Sequence, residues 1–367
     1  MNKTISSILA AAALTLAVSC SEPADNASPI LQVLGEAVEN GAFLFGHQDD
    51  LCYGHDWDVT DPSGDDCTRS DVFSTCGHYP YIAGFDLNNL ELGLKENIDH
   101  VTFEHMRRSA IAHYERGGIV TFSWHLNNPL TGGNAWDNSS DEVVASILEG
   151  GECHEKFVGW MSAIADFLLS LRDSEGNQIV TIFRPWHEHT GSWFWWGKDH
   201  CTPEQFNALW RMTYNYIAVE RGVKAIWALS PSGTEIDSWT ERYPGPEYVD
   251  IIGVDHYLKI RPGEALEDAR VRYIGEIQHH LGALQGIVER DGKLLAVTET
   301  GCESVPYDEW WTDVLFPAIE GFPVSYVLTW RNSQFDARHY FVPFPGQQSE
   351  KDFLKFFESD RTVFLGD

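Results

Sequence analysis

Eight short apolar runs, separated by longer amphipathic stretches, constrain this chain more than any other feature. They cover residues 42–45, 81–85, 119–122, 179–183, 223–229, 249–254, 294–297 and 324–329. Runs that are apolar at consecutive positions suit strands buried on both faces, the condition of a parallel sheet covered by helices. The stretches between them have helical spacing. Phe157, Trp160, Ile164, Phe167 and Leu168 share one face, as do Phe206, Leu209, Trp210 and Ile217. The second of these begins with Thr202 as N-cap, Pro203 at the first helical position and Gln205 closing a capping box, and it stops at Gly222. Residues 230–248 carry no convincing helix. Eight such alternations predict an α/β fold, a (β/α)8 TIM barrel, with a single catalytic domain over residues 30–367.

Barrels of this kind carry their chemistry at the carboxyl ends of the strands. Those ends read His47, Asp86, His125, His187 with Glu188, Ser230, Asp255 with His256 and Tyr257, Glu299, and Trp330. Packing alone would favour bulky apolar residues there. The fourth end, RPWHEHTGSWFWWG at residues 184–197, sets Glu188 just ahead of Trp193, Phe194, Trp195 and Trp196. Pyranose rings present apolar C–H faces that stack on indole, and a carboxyl among low-dielectric aromatics has its pKa pushed up, as a general acid requires. The seventh end, LLAVTETG at residues 294–301, supplies a second acid, Glu299. Two carboxyl groups are the minimal equipment for glycoside hydrolysis: one protonates the leaving oxygen, and the other attacks the anomeric carbon or activates water.

The formal charge is −30, from 55 acidic against 25 basic side chains scattered along the chain. Such a surface repels phosphate backbones, so nucleic acid is excluded as a partner and a neutral substrate is favoured. Residues 1–19 carry Lys3 and an apolar run too short to span a membrane, and they read as a signal peptide. The approach to Cys20 is similar to that of a lipoprotein signal, with Cys20 lipid-modified and residues 20–29 forming a short polar tether. That reading gives an exported, outer-membrane lipoprotein facing the periplasm or the cell surface, attached to the membrane only through Cys20; Ala17, where such signals usually carry leucine, leaves ordinary secretion as the alternative. Six cysteines remain, and the cluster Cys52, Cys67 and Cys76 in one loop makes a disulfide there an expectation. No C-x-x-C pair or H-E-x-x-H motif occurs in the sequence, so neither a metal nor a cofactor is expected.

The segments SWHLNNP (residues 123–129), RPWHEHTGSWFWWG, GVDHY (253–257), TETG (298–301) and LTW (328–330) stand in the order and spacing of one family. In these residues the chain resembles glycoside hydrolase family 26, best known for β-mannanases. The resemblance implies Glu188 as acid/base and Glu299 as nucleophile in a retaining, double-displacement cleavage of β-1,4-mannosidic linkages. It also implies that Tyr257 hydrogen-bonds the nucleophile, and that His125 and His187 surround the sugar being cleaved. Trp193 and Trp330 would be sugar platforms on opposite sides of the cleavage point, with Trp136 a further aromatic of the cleft. Asp86, Asp255 and Arg184 would orient the glutamates by hydrogen bonds. The implied substrate is mannan, glucomannan or galactomannan, and the enzyme is expected to be a monomer. Other members of the family act on other β-glycans, such as mixed-linkage glucan or β-1,3-xylan, and the letters alone do not separate these. A non-catalytic glycan-binding lipoprotein would need the aromatics but not both glutamates. A metal-dependent barrel hydrolase would want paired histidines where this chain has His47-Gln48-Asp49. The loop of residues 48–79 is long enough to wall one end of the cleft, which would bias products toward mannobiose; an open cleft would cut at random.

Overall fold

In a computed structural model, residues 29–59 and 67–366 are described. The expected leader, Cys20 and nearly all of the tether lie outside them; Pro29, assigned above to the tether, instead opens the first helix, Pro29–Glu39.

Eight parallel strands close into a barrel: β1 (Phe43–Gln48), β2 (Ile82–Asp86), β3 (Ile119–Ser123), β4 (Thr181–Arg184), β5 (Ala225–Leu229), β6 (Ile251–Leu258), β7 (Leu294–Cys302) and β8 (Val324–Thr329). Closure is made where β8 pairs with β1, from Leu44 opposite Tyr326 to His47 opposite Thr329. Each strand grows from one of the eight apolar runs, and nearly every strand residue is buried, as strands lined by side chains inside and helices outside must be. Inside the barrel, toward the amino ends of the strands, Leu44, Ile82, Ile182, Ile226, Ile251 and Tyr326 form a largely apolar plug. The helix Pro29–Glu39 presses Ile30, Leu34 and Ala37 onto that plug and seals the lower end.

The helices behave as their sequences require. His154–Ser170 buries Phe157, Trp160, Ile164, Phe167 and Leu168. Pro203–Tyr214 begins with both halves of the Thr202–Gln205 capping box, then loosens into a π-helical turn over Asn215–Glu220 that carries Ile217 inward. The interval after β5 holds only 3-10 turns, Ile236–Arg242 and Pro246–Tyr248.

Two strands run further than their apolar stretches. β6 continues through Asp255, His256 and Tyr257, and β7 through Thr298, Glu299 and Thr300. Between them the register slips, with Val254 opposite Val297 but Asp255 opposite Glu299, so Thr298 is the extra residue of a bulge. That bulge turns Glu299 level with Asp255. It also needs Gly253, since a Cβ there would stand 2.4 Å from the Thr298 methyl carbon. A ninth strand, Thr362–Val363, was not foreseen; it pairs with the lower end of β1 below the point where β2 takes over.

The expected disulfide in the loop after β1 is not formed: Cys52 and Cys76 stand as thiols. Cys76 sits in the helix Asp71–Cys76 with its sulfur turned back onto the Val72 carbonyl at 3.3 Å.

Candidate active site

At the carboxyl end of β4 the chain turns sharply, and Trp186 and Glu188 both adopt φ of 55°. This left-handed conformation costs a non-glycine residue about 1 kcal/mol or more and persists only where the surroundings fix it. They do so here. The Glu188 amide donates to the Ser230 carbonyl at 2.7 Å, and the Trp196 indole donates to the His187 carbonyl at 2.9 Å. Trp186, Trp195 and Trp196 are buried against one another beneath the turn. Of the four consecutive aromatics only Trp193 stands half open. Its ring lies flat against Gly191, where a Cβ would come within 2.3 Å of it, and its Nε1–H donates to Glu188 Oε2 at 2.6 Å.

Glu188 faces Glu299 across the barrel mouth. With Asp255 they form a group whose members bring a carboxylate oxygen within 4.8 Å of one another. Burial and the neighbouring Glu299 push the Glu188 carboxyl up to about 7. Glu299, only 3 % exposed, is held on both oxygens: the Arg184 guanidinium donates to Oε1, and the Tyr257 hydroxyl donates to Oε2 at 2.7 Å. Burial and the Glu299 charge hold the Tyr257 phenol well above its usual range, so it stays a donor. Arg184 also reaches Asp255 Oδ2 at 2.7 Å. Burial raises the Asp255 carboxyl, and the opposing influences are Arg184 and the Thr298 hydroxyl at 2.6 Å. Asp255 and Glu299 therefore share one internal cation, Arg184. Glu188 is thus a carboxyl raised to near neutrality, and Glu299 is a fixed, hydrogen-bonded carboxyl a few ångströms away.

His125 lines the cleft, and Trp136 stacks on it with ring centroids 5.4 Å apart. His187 is placed differently from the expectation that it meets the sugar. It is 1 % exposed and lies behind His125, Nε2 to Nε2 at 3.1 Å, off the cleft wall. Asp86 was expected to orient the glutamates; instead it bonds His125 Nδ1 at 2.8 Å. Arg184 and Asp255 do orient Glu299, directly and through each other. Trp330 stands on the opposite rim from Trp193, edge-on to Tyr257 at 6.5 Å.

The cleft over these groups has a volume of about 1060 Å³. Among the described residues of the loop after β1, none of 48–59 or 67–79 lines it, and residues 60–66 of that loop lie outside the described residues. That loop instead braces the loop after β8, with Asp71 accepting from Asn332 and His55 bonding the Ala337 carbonyl. Phe341, His339 and Glu303 on one side and Lys259 and Arg261 on another complete the walls, and sequence reasoning missed them all. Glu303 lies only four residues past Glu299, which was a usable signal; nothing local marks Phe341 or His339.

The model of a family described as glycosyl hydrolase family 26 matches residues 20–293. A mannan endo-1,4-beta-mannosidase of Bifidobacterium adolescentis is 27 % identical over 336 residues, 86 % of this chain but 33 % of that protein. One from Bacillus subtilis is 34 % identical over 192 residues, 50 % of this chain and 52 % of its own length. The alignments thus span about a third to a half of these relatives. A solved structure of a GH26 beta-mannanase from Bacteroides ovatus is 45 % identical, with a TM-score of 0.85 over 92 % of this chain and 94 % of that one. The catalytic domain of a GH26 endo-beta-1,4-mannanase from Bacillus sp. JAMB-750 is 29 % identical, with a TM-score of 0.78 over 91 % of each chain.

Proposed function

The chain belongs to glycoside hydrolase family 26, and on that premise we propose that it hydrolyses β-1,4-mannosidic linkages in mannan, glucomannan or galactomannan with retention. The observation that carries this reading is the Glu188–Glu299 pair at the ends of β4 and β7, with oxygens within 4.8 Å. Retaining glycosidases hold their carboxyl groups about 5–5.5 Å apart, too close for a water to sit between them and attack directly.

In the proposed sequence Glu299 attacks the anomeric carbon while Glu188 gives its proton to the departing glycosidic oxygen. Trp193 occupies Glu188 Oε2 as a donor, so Oε1 is left to carry that proton. The C–O bond breaks and a glycosyl ester forms on Glu299. Glu188, now a carboxylate, takes a proton from water, whose oxygen attacks the same carbon and releases Glu299. Tyr257 and Arg184 hold the nucleophile's two oxygens in place. Trp193, Trp330 and Trp136 offer ring faces to the sugars, His125 meets the sugar being cleaved, and His187 supports it from behind.

The sequence around Cys20 supports export and lipid anchoring, and hence attachment to the outer membrane, facing the periplasm or the cell surface, with the enzyme acting as a monomer. Hydrolysis of mannan, lichenan and xylan side by side tests the substrate: release of mannooligosaccharides is expected. No release from mannan with ready cutting of another β-glycan overturns the assignment. Proton NMR of the earliest product tests the stereochemistry, and the β-anomer is expected first.

A further inference from the structure

Asp86 lies at the end of β2, two strands away from Glu188, and is 1 % exposed. A buried carboxylate must find partners, and every one it has belongs to the strand-end layer beneath the cleft. Its Oδ2 accepts from Ser123 Oγ at 2.7 Å and faces His125 Nδ1 at 2.8 Å; its Oδ1 accepts from the Asn88 amide at 2.9 Å. The far nitrogen of the same imidazole, His125 Nε2, stands 3.1 Å from His187 Nε2. Two facing ring nitrogens share one proton, so one histidine donates and the other accepts. His187 Nδ1 has no partner among the described residues, and nothing near it favours a charge.

We propose that Asp86 is a positioning residue that fixes His125 as an imidazolium, donating from Nδ1 to Asp86 and from Nε2 to a neutral His187, and so balances the charge of the catalytic site. This rests on the glycoside hydrolase reading above. The groups facing His125 are Asp86 from β2, Asp99 from the loop after it, His187 and Glu188 from the turn after β4, and Glu299 from β7. Burial works against a charge on His125, but the Asp86 carboxylate outweighs it and holds the imidazole above its usual range. Burial and the adjacent His125 push His187 well below the histidine range. Burial would raise Asp86, and His125 reverses that.

The consequence is a count of charges. Arg184 is matched by Asp255 and His125 by Asp86, so the fixed charges beneath the sugar cancel. One mobile negative charge remains. It sits on Glu299 before the glycosidic bond breaks and on Glu188 once the sugar is esterified to Glu299. With a neutral His125 the same site would carry one more negative charge throughout, and Glu188 would part with its proton less readily.

Nitrogen-15 NMR of the histidine rings in the full protein tests the proposal, with His125 identified as the resonance pair missing from His125→Gln. Expected is an imidazolium with two N–H groups at a pH just above the ordinary histidine value of ~6.5. In Asp86→Asn that resonance should become a neutral imidazole at the same pH. The alkaline limb of kcat/KM on mannan should also move to higher pH, because Glu188 loses a nearby positive charge. A purely structural Asp86 would lower activity without moving that limb. A single ring N–H on wild-type His125 at that pH overturns the proposal, and so does an Asp86→Asn variant that leaves both readouts in place. The wild-type measurement stands even if the variant does not fold. It is also independent of turnover, so failure to cut mannan would reject the substrate without touching the Asp86–His125 pair.

Discussion

The indole N–H of Trp193 donates to Glu188 Oε2 at 2.6 Å, which joins the half-open ring of the cleft and the proposed acid into one unit. Burial and Glu299 lift Glu188 to about 7, and Trp193 pulls the other way because it stabilises the ionised form. The general acid must be protonated in the free enzyme, so kcat/KM should fall as pH rises through about 7. Trp193→Phe keeps a ring face and removes the donor. Its alkaline limb should move upward by about one unit or less, measured as kcat/KM against pH; an unmoved limb would detach Trp193 from the acid.

Substitution of the two glutamates should not be equivalent. Glu188→Ala should still form the glycosyl ester from substrates with good leaving groups, and azide should restore turnover as the β-glycosyl azide. Glu299→Ala should lose the first step on every substrate. Equal loss on activated and unactivated substrates, without an azide effect on Glu188→Ala, reverses or voids the roles.

Tyr257→Phe removes a 2.7 Å hydrogen bond to Glu299, the proposed nucleophile. A bond to a charged group is worth about 1.5–3 kcal/mol, so turnover should drop roughly 10- to 100-fold with the fold intact by circular dichroism. Wild-type rates in that variant would make Tyr257 a packing residue.

Arg184→Met leaves Asp255 and Glu299 buried without their cation. Breaking a buried pair from one side costs about 3–5 kcal/mol, so the thermal midpoint should fall by several degrees at neutral pH. Asp255 already has its folded pKa raised, and without Arg184 it rises further. A carboxyl raised in the folded state binds more protons there than in the unfolded chain. The variant should therefore regain stability on acidification and lose it as pH climbs through that raised value. Thermal scans across pH check the sign.

Cys52 and Cys76 should both alkylate in denaturant without prior reduction, read by peptide mass spectrometry. Protection released only by reductant would restore the disulfide expected from their spacing.

What could be read from the letters follows a physical divide. The eight runs were legible because strands buried on both faces must be apolar throughout, and helices such as His154–Ser170 and Pro203–Tyr214 were legible because one face must be. The upper ends of β6 and β7 were not, because there the strand is made of Asp255, Tyr257 and Glu299, residues chosen for chemistry over burial. Glu188 and Glu299 could be found from short motifs next to apolar runs. The pairing of Asp86 with His125 could not, since 39 residues separate them and only strand register brings them together. The same holds for Phe341, edge-on to Tyr257 at 5.8 Å from a loop that no local pattern orders.

The helix Pro29–Glu39 stoppers the barrel at the pole opposite the glutamates. A bead coupled through this helix takes hold of the protein from behind. The working mouth then looks outward. A tethered molecule can graze along a polysaccharide too large to diffuse, as a lamp on a stalk lights the space in front of it rather than its own base.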